Sequence, residues 1–162
     1  MITGFNGKYR FLSNFFESPI NFEGTEYKTV EHAYQAAKTT DTDLRAMIAN
    51  ADSATIAKRL GRNLVLRPDW EDVKLTIMLT LLRKKFRDHK HLQATLLATN
   101  QEQLYEYNYW HDTFWGTCTC VKHQLTPGAN WLGKLLMQVR EEIRSSGTDT
   151  TVNFIEHESI KI

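Results

Sequence analysis

The stretch that opens at Pro68 constrains this chain more than any other. From there Trp70, Val73, Ile77, Met78, Leu81, Leu82 and Phe86 recur at spacings of three, four and one, which lays one apolar stripe along a helix. A proline in the first helical turn costs no hydrogen bond, so the helix is expected to begin at that point. A one-sided helix of this length cannot bury its stripe alone, and the rest of the chain must cover it.

Further helices supply that cover. Thr29 can cap a helix through VEHAYQAAK, where Ala33, Ala36 and Ala37 have high helix propensity. DTDLRAMIAN and SATIAKRL read as two shorter helices, the second stopped by Gly61 in a left-handed turn, and KHLQATLLAT as another. Asn130 can cap a last long helix with Leu132, Leu135, Leu136, Val139 and Ile143 on one face, closed by Gly147. The first 28 residues read differently. KYRFLSNFF and INFEGTEYK are aromatic-rich and broken by turn residues, which favours a small antiparallel unit, and QLYEYNYW reads as a strand or an extended approach to a loop. The expected fold is therefore α+β: a mainly helical single domain over residues 1–147 with a small antiparallel sheet. Residues 148–162 are left as a C-terminal tail, either an edge strand or disordered.

A chain of 162 residues can enclose one core. With 20 Lys plus Arg against 19 Asp plus Glu, the net charge is +1, so no broad basic field is available for non-specific nucleic-acid binding, and any such recognition is local. The opening MITGFNGKYRFLSN has no signal-peptide core and no stretch is long and apolar enough to span a membrane, which suits a cytoplasmic protein. Cys118 and Cys120 are one residue apart, a spacing poorly suited to a structural disulfide. Even with His123 they fall short of a four-ligand zinc site, so the sequence reads as a loop with two thiols and no metal. There is no G-x-G-x-x-G and no P-loop, and neither ATP-driven nor hydride chemistry has support.

Four clusters are more polar and aromatic than a core requires: residues 11–15, residues 31–38, Glu106 with residues 112–116, and residues 130–133. They belong to six blocks, FLSNFF, VEHAYQAAK, LGRNLVLRPDWEDVK, RKKFRDH, LYEYNYWHDTFWG and GANWLGKLLMQVR. In content, order and spacing these resemble the NADAR (YbiA-like) family from residue 5 to residue 144. The segment from Thr117 to Thr126 departs from that resemblance. The resemblance implies cofactor-free hydrolysis of N-glycosidic bonds. The substrates it implies are guanine bases carrying ADP-ribose, free or in DNA or RNA, or phosphoribosyl-aminopyrimidine intermediates of riboflavin synthesis.

The residues make that chemistry physically sensible. Glu31 lies in the first turn after Thr29, where the helix dipole favours an ionised carboxylate by ~0.3–1 kcal/mol. A fixed anion stabilises positive charge at an anomeric carbon or deprotonates water. Spacing alone would make Glu31 an ordinary N-terminal Glu, and the family block reverses that. Lys38, seven residues on, falls about 20° from the same helix face, and can hold a phosphate, attack the sugar as an amine, or be a solvated surface lysine. Asp112 and Glu106 can hold different proton affinities, or Asp112 can merely form an Asx turn. Phe15, Trp70 and Trp115, the last followed by the Gly116 turn, are candidates to stack on a base, although Trp70 equally closes a core. Ser13 and Asn14 can bond ribose hydroxyls or shape a turn. Asn130 and Gly133 at a helix start, and Arg62, are phosphate candidates. The expected catalytic set is thus Glu31, Lys38 and Asp112. The partner is a nucleotide-type substrate; a reader that binds ADP-ribose without cleaving it is the competing class.

Overall fold

The computed structural model describes residues 1–156, with side chains through residue 147. Its centre is the expected amphipathic helix, which spans Trp70–Asp88 and is the fourth in chain order, α4. Ile77, Met78, Leu81, Leu82 and Phe86 on it are buried, while Val73 only borders the core. The helix begins two residues after Pro68, beyond a turn in which the Trp70 amide donates to the Arg67 carbonyl and Arg67 and Asp69 form a two-pronged ion pair at 2.6 and 2.9 Å.

The preceding helices are capped as their sequences suggest. Thr29 accepts the His32 amide at the start of α1 (Val30–Ala36), Asp41 caps α2 (Thr42–Ala49), and Ser53 caps α3 (Ala54–Arg62). Helix α1 packs against α2, α3 and α4, and every residue of it is buried. Its small Ala33 and Ala36 permit that close approach. Gly61 is a correction. It lies inside α3 without a positive φ, and a Cβ there would stand 1.9 Å from the Gln35 Oε1, so close helix packing rather than a turn requires the glycine.

Helix α5 (Lys90–Leu97) and the long α6 (Trp131–Glu156) complete the cover of α4. Leu132, Leu135, Leu136, Val139 and Ile143 are buried as the periodicity requires. The helix passes the stop expected at Gly147, and residues 151–155 are helical rather than an edge strand. The remainder of the expected tail, residues 157–162, lies outside the described residues.

The β structure is smaller and differently paired than expected. Strands β2 (Ile20–Phe22) and β3 (Thr25–Tyr27) form an antiparallel hairpin. Its turn residues Glu23 and Gly24 both have positive φ, 50° and 84°, the geometry that matches strand twist in a two-residue loop. The other two ladders are parallel: β1 (Ile2–Thr3) with β4 (Leu104–Tyr105), and β5 (Tyr107–Asn108) with β6 (Thr117–Cys118). KYRFLSNFF is not strand at all: Gly7–Leu12 is a 3-10 helix that buries Phe11 and Leu12. Among the described residues no helix is long and apolar enough to cross a membrane.

Candidate active site

One wall of the site is helical. Glu31 is 6% exposed; its amide donates to the Asn14 carbonyl at 3.0 Å, and its carboxylate accepts from Gln35 Nε2 at 2.7 Å. Burial pushes its pKa above the ordinary carboxylate range, while Gln35, Lys58 and Lys38 pull towards the anion and Asp112 pushes the other way. The dipole reasoning from sequence therefore names the smaller influence: in so short and buried a helix, desolvation outweighs it.

Helix α1 ends at Ala36, so Lys38 stands beyond it in a tight turn, its amide bonded to the Gln35 carbonyl. The same-face geometry expected for Lys38 thus does not apply. The turn nevertheless returns the side chain to the site. Its ammonium lies 5.5 Å from the centre of the Tyr34 ring, and it feels the charges of Glu31, Lys58 and Arg62. Burial lowers the Lys38 pKa, with Glu31 opposing.

The facing wall is a loop. Asp112 Oδ1 accepts from the amides of Phe114 and Trp115 at 3.1 and 2.9 Å, an Asx turn, and Asn108 bonds both the amide and the carbonyl of Asp112. Glu106 lies beside it. Burial first, then the Asp112 charge, raises the Glu106 pKa to about 7, with Lys58 opposing. Among the described residues Glu106 Oε2 and Asn14 Oδ1 are buried oxygens with no hydrogen-bond partner. Such acceptors are costly unless a ligand or water satisfies them.

Aromatic rings join the walls. Tyr34 packs against Trp70 at 5.2 Å and against Trp115 at 5.4 Å edge-on, and Trp115 Nε1 donates to the Tyr34 hydroxyl. Trp70 is buried, so it closes the core behind Tyr34. Phe15 is exposed beneath the Lys58 ammonium. Ser13 is a turn-former, its hydroxyl accepting from the Phe15 amide.

The structure does not bring Asn130 and Gly133 to the cleft as an anion site. The amides of Asn130, Trp131 and Leu132 donate to the carbonyls of Gly116, Phe114 and Trp115, and the Asn130 side chain bridges the Leu104 carbonyl and the Glu106 amide. A Cβ on Gly133 would meet the Leu104 carbonyl at 2.1 Å, and one on Gly116 the Glu106 carbonyl at 2.5 Å. Both glycines serve close packing. Asn130 is a staple that carries Glu106 rather than a helix cap. Arg62, at the exposed end of α3, remains beside Lys38.

Sequence reasoning missed Tyr34, Lys58 and Lys85. Lys58 and Arg62 are four apart on α3 and share a face, a signal that was readable. Lys85 is fully buried, donates to the Ser13 carbonyl at 2.8 Å, and is driven by burial to a pKa of about 7. It props the loop whose Asn14 carbonyl holds the Glu31 amide. Missed too is a grouping outside the cleft: His111, Cys118, Cys120 and His123 converge, with all four ligand atoms within 4.8 Å of one another. Counting the thiols with His123 alone left a ligand short because His111 precedes them across the β5–β6 bridge.

Two carboxyls whose pKa values burial raises, a desolvated lysine and an aromatic lining make this cleft a candidate acid–base site. The comparisons place it within a family. The NADAR domain model matches residues 4–144, and the chain belongs to the NADAR family. It is 39% identical over 137 residues to N-glycosidase YbiA of Escherichia coli K12, covering 83% of this chain and 82% of that one. An N-glycosidase of Nostoc punctiforme is 42% identical over 142 residues, 85% of this chain and 87% of the relative. A riboflavin biosynthesis protein of Vibrio vulnificus is 36% identical across 90% of this chain but 39% of its own length. The NMR structure of E. coli YbiA superposes with a TM-score of 0.78 at 35% identity, covering 91% of this chain and 88% of that one.

Proposed function

We propose that this chain is an N-glycosidase that breaks the bond between ribose C1 and a base nitrogen, with ADP-ribosylated guanine as substrate. The observation that carries the reading is a pair of buried carboxyls with different partners. Burial raises the pKa of both; at Glu31 a hydrogen-bond donor and two lysines then favour the anion with Asp112 opposing, whereas at Glu106 Asp112 raises it further, Lys58 opposes, and one oxygen has no partner. In this reading Glu106, with its pKa raised to about 7, holds the proton for the leaving base, and Glu31, which Gln35, Lys58 and Lys38 draw towards the anion, faces C1.

In this mechanism the C1–N electron pair leaves with the base as Glu106 protonates the base nitrogen. The Glu31 carboxylate meets the positive charge at C1. The Lys38 amine, deprotonated more easily because it is desolvated, captures C1 and passes a proton to Glu31. That proton moves to the ring oxygen as the sugar opens to an imine. Water then hydrolyses the imine, freeing the sugar and Lys38. Asp112 shapes the loop and raises the Glu106 pKa. This differs from the role the sequence suggested, in which Asp112 rather than Glu106 was catalytic. Lys58 and Arg62 flank Lys38 and suit the substrate's phosphates. A reader that only binds would gain nothing from an amine and two carboxyls facing one carbon.

The riboflavin name of the Vibrio relative favours a second substrate, a phosphoribosyl-aminopyrimidine. Incubation with ADP-ribosyl-guanosine and, separately, with the phosphoribosyl-aminopyrimidine tests both by chromatography. Free ADP-ribose from the first supports the substrate proposed, base release from the second alone transfers the same chemistry to it, and release from neither overturns the assignment.

A further inference from the structure

We propose that His111, Cys118, Cys120 and His123 form a structural zinc site that clamps the loop carrying Asp112 and Trp115. The chain supplies the ligands by simple geometry. Cys118 ends β6 and Cys120 follows in extended backbone, so residues two apart direct both sulfurs to one side. Residues 121–123 then turn as a 3-10 helix, in which positions three apart eclipse, and this returns the His123 ring over Cys120. His111 comes from the loop after β5, which pairs in parallel with β6. Its φ of 69° is left-handed, a conformation uncommon for non-glycine residues though more frequent for His than for most.

The distances lie within a few tenths of an ångström of those around a tetrahedral ion, the sulfur pair somewhat closer. Zinc–sulfur bonds near 2.3 Å and zinc–nitrogen bonds near 2.05 Å in a tetrahedron place ligand atoms about 3.3–3.8 Å apart. Here Cys118 Sγ and Cys120 Sγ are 3.2 Å apart, Cys120 Sγ lies 3.3 Å from His111 Nδ1 and 3.2 Å from His123 Nδ1, and Cys118 Sγ lies 4.0 Å from His111 Nδ1. Two thiolates and two imidazoles are a soft to borderline set that suits Zn²⁺ and disfavours Mg²⁺ or Ca²⁺. Four protein ligands fill the tetrahedron and leave no position for water, so the ion holds structure and takes no part in bond cleavage. Both thiols lose their protons on binding, and affinity rises with pH accordingly. The clamp spans residues 111–123 and thus both ends of the turn that Asp112 forms with Phe114 and Trp115.

The test uses the full chain, reduced, stripped with a chelator and titrated with Co²⁺ and then Zn²⁺. One equivalent of Co²⁺ should give the strong visible bands of a tetrahedral site and a thiolate-to-metal band in the near ultraviolet, and Zn²⁺ should bleach both. The unfolding midpoint should rise with Zn²⁺ concentration. Cys118→Ser with Cys120→Ser should abolish the bands, and His123→Asn, at a partly exposed position, should weaken binding at least tenfold with the helical circular dichroism unchanged. Weak octahedral Co²⁺ absorption alone, or bands that survive the double cysteine variant, would overturn the proposal.

Discussion

The two walls of the cleft are built in opposite ways. Glu31 and the approach to Lys38 rest on α1, a helix with a capped start and every residue buried among three other helices. Glu106 and Asp112 rest on two-residue bridges and on side-chain staples from Asn108 and Asn130. The helical wall is rigid through packing; the loop wall is rigid through a few hydrogen bonds, each replaceable only at a cost. Rigid packing suits groups that must face a carbon at fixed distance. A loop held by polar contacts can place a carboxyl beside another one, which a tightly packed helix face tolerates poorly, and the Asp112 charge helps to raise the Glu106 pKa in this way.

Substitutions can break this division of labour. Glu31→Gln keeps shape and the neighbouring Gln35 but removes the anion; it should lower kcat on the order of 10³-fold with little change in ligand affinity measured by calorimetry. Near-normal turnover would remove the helical wall from the chemistry. Lys38→Arg keeps charge without a usable nucleophile and should cost on the order of 10²-fold. Cyanoborohydride added during turnover should leave the sugar on the Lys38 peptide of the native protein, seen by mass spectrometry. Absence of an adduct together with a fully active Arg variant would reassign Lys38 to phosphate binding.

Two smaller effects sharpen the contrast. Lys85 has its folded pKa depressed to about 7 from an ordinary 10.5. Between those values the unfolded chain binds the proton that the folded chain has released, so stability should rise with pH across that window. Denaturant unfolding of Lys85→Met should lack that slope. Tyr34→Phe removes only the acceptor for Trp115 Nε1, and should raise KM on the order of fivefold while leaving kcat nearly unchanged.

The sequence was a good guide where periodicity governs and a poor one where distant residues decide. The stripe from Ile77 to Phe86 and that from Leu132 to Ile143 are buried as their spacing requires, and Thr29 caps α1 as its position suggests. The antiparallel sheet was only a hairpin in fact, because β1 and β4, and β5 and β6, pair in parallel over two residues each, too short for alternation to show. At the site, Glu31, Lys38, Glu106 and Asp112 are brought into one electrostatic neighbourhood. Asn130 and Gly133 went elsewhere because their partners, the carbonyls of Leu104 and residues 114–116, are far away in sequence. The convergence of His111 with Cys118, Cys120 and His123 was hidden for the same reason.

The central claim is that the loop wall holds the proton and the helical wall the anion. The most direct measurement is the pH dependence of kcat/KM for base release by the native protein and by Glu106→Gln. A general acid with a pKa of about 7 must be protonated to work, so the native rate should fall as pH rises through 7. Glu106→Gln should be slower by about 10²-fold and lack that falling limb. A falling limb that persists unchanged in the Gln variant would contradict the account.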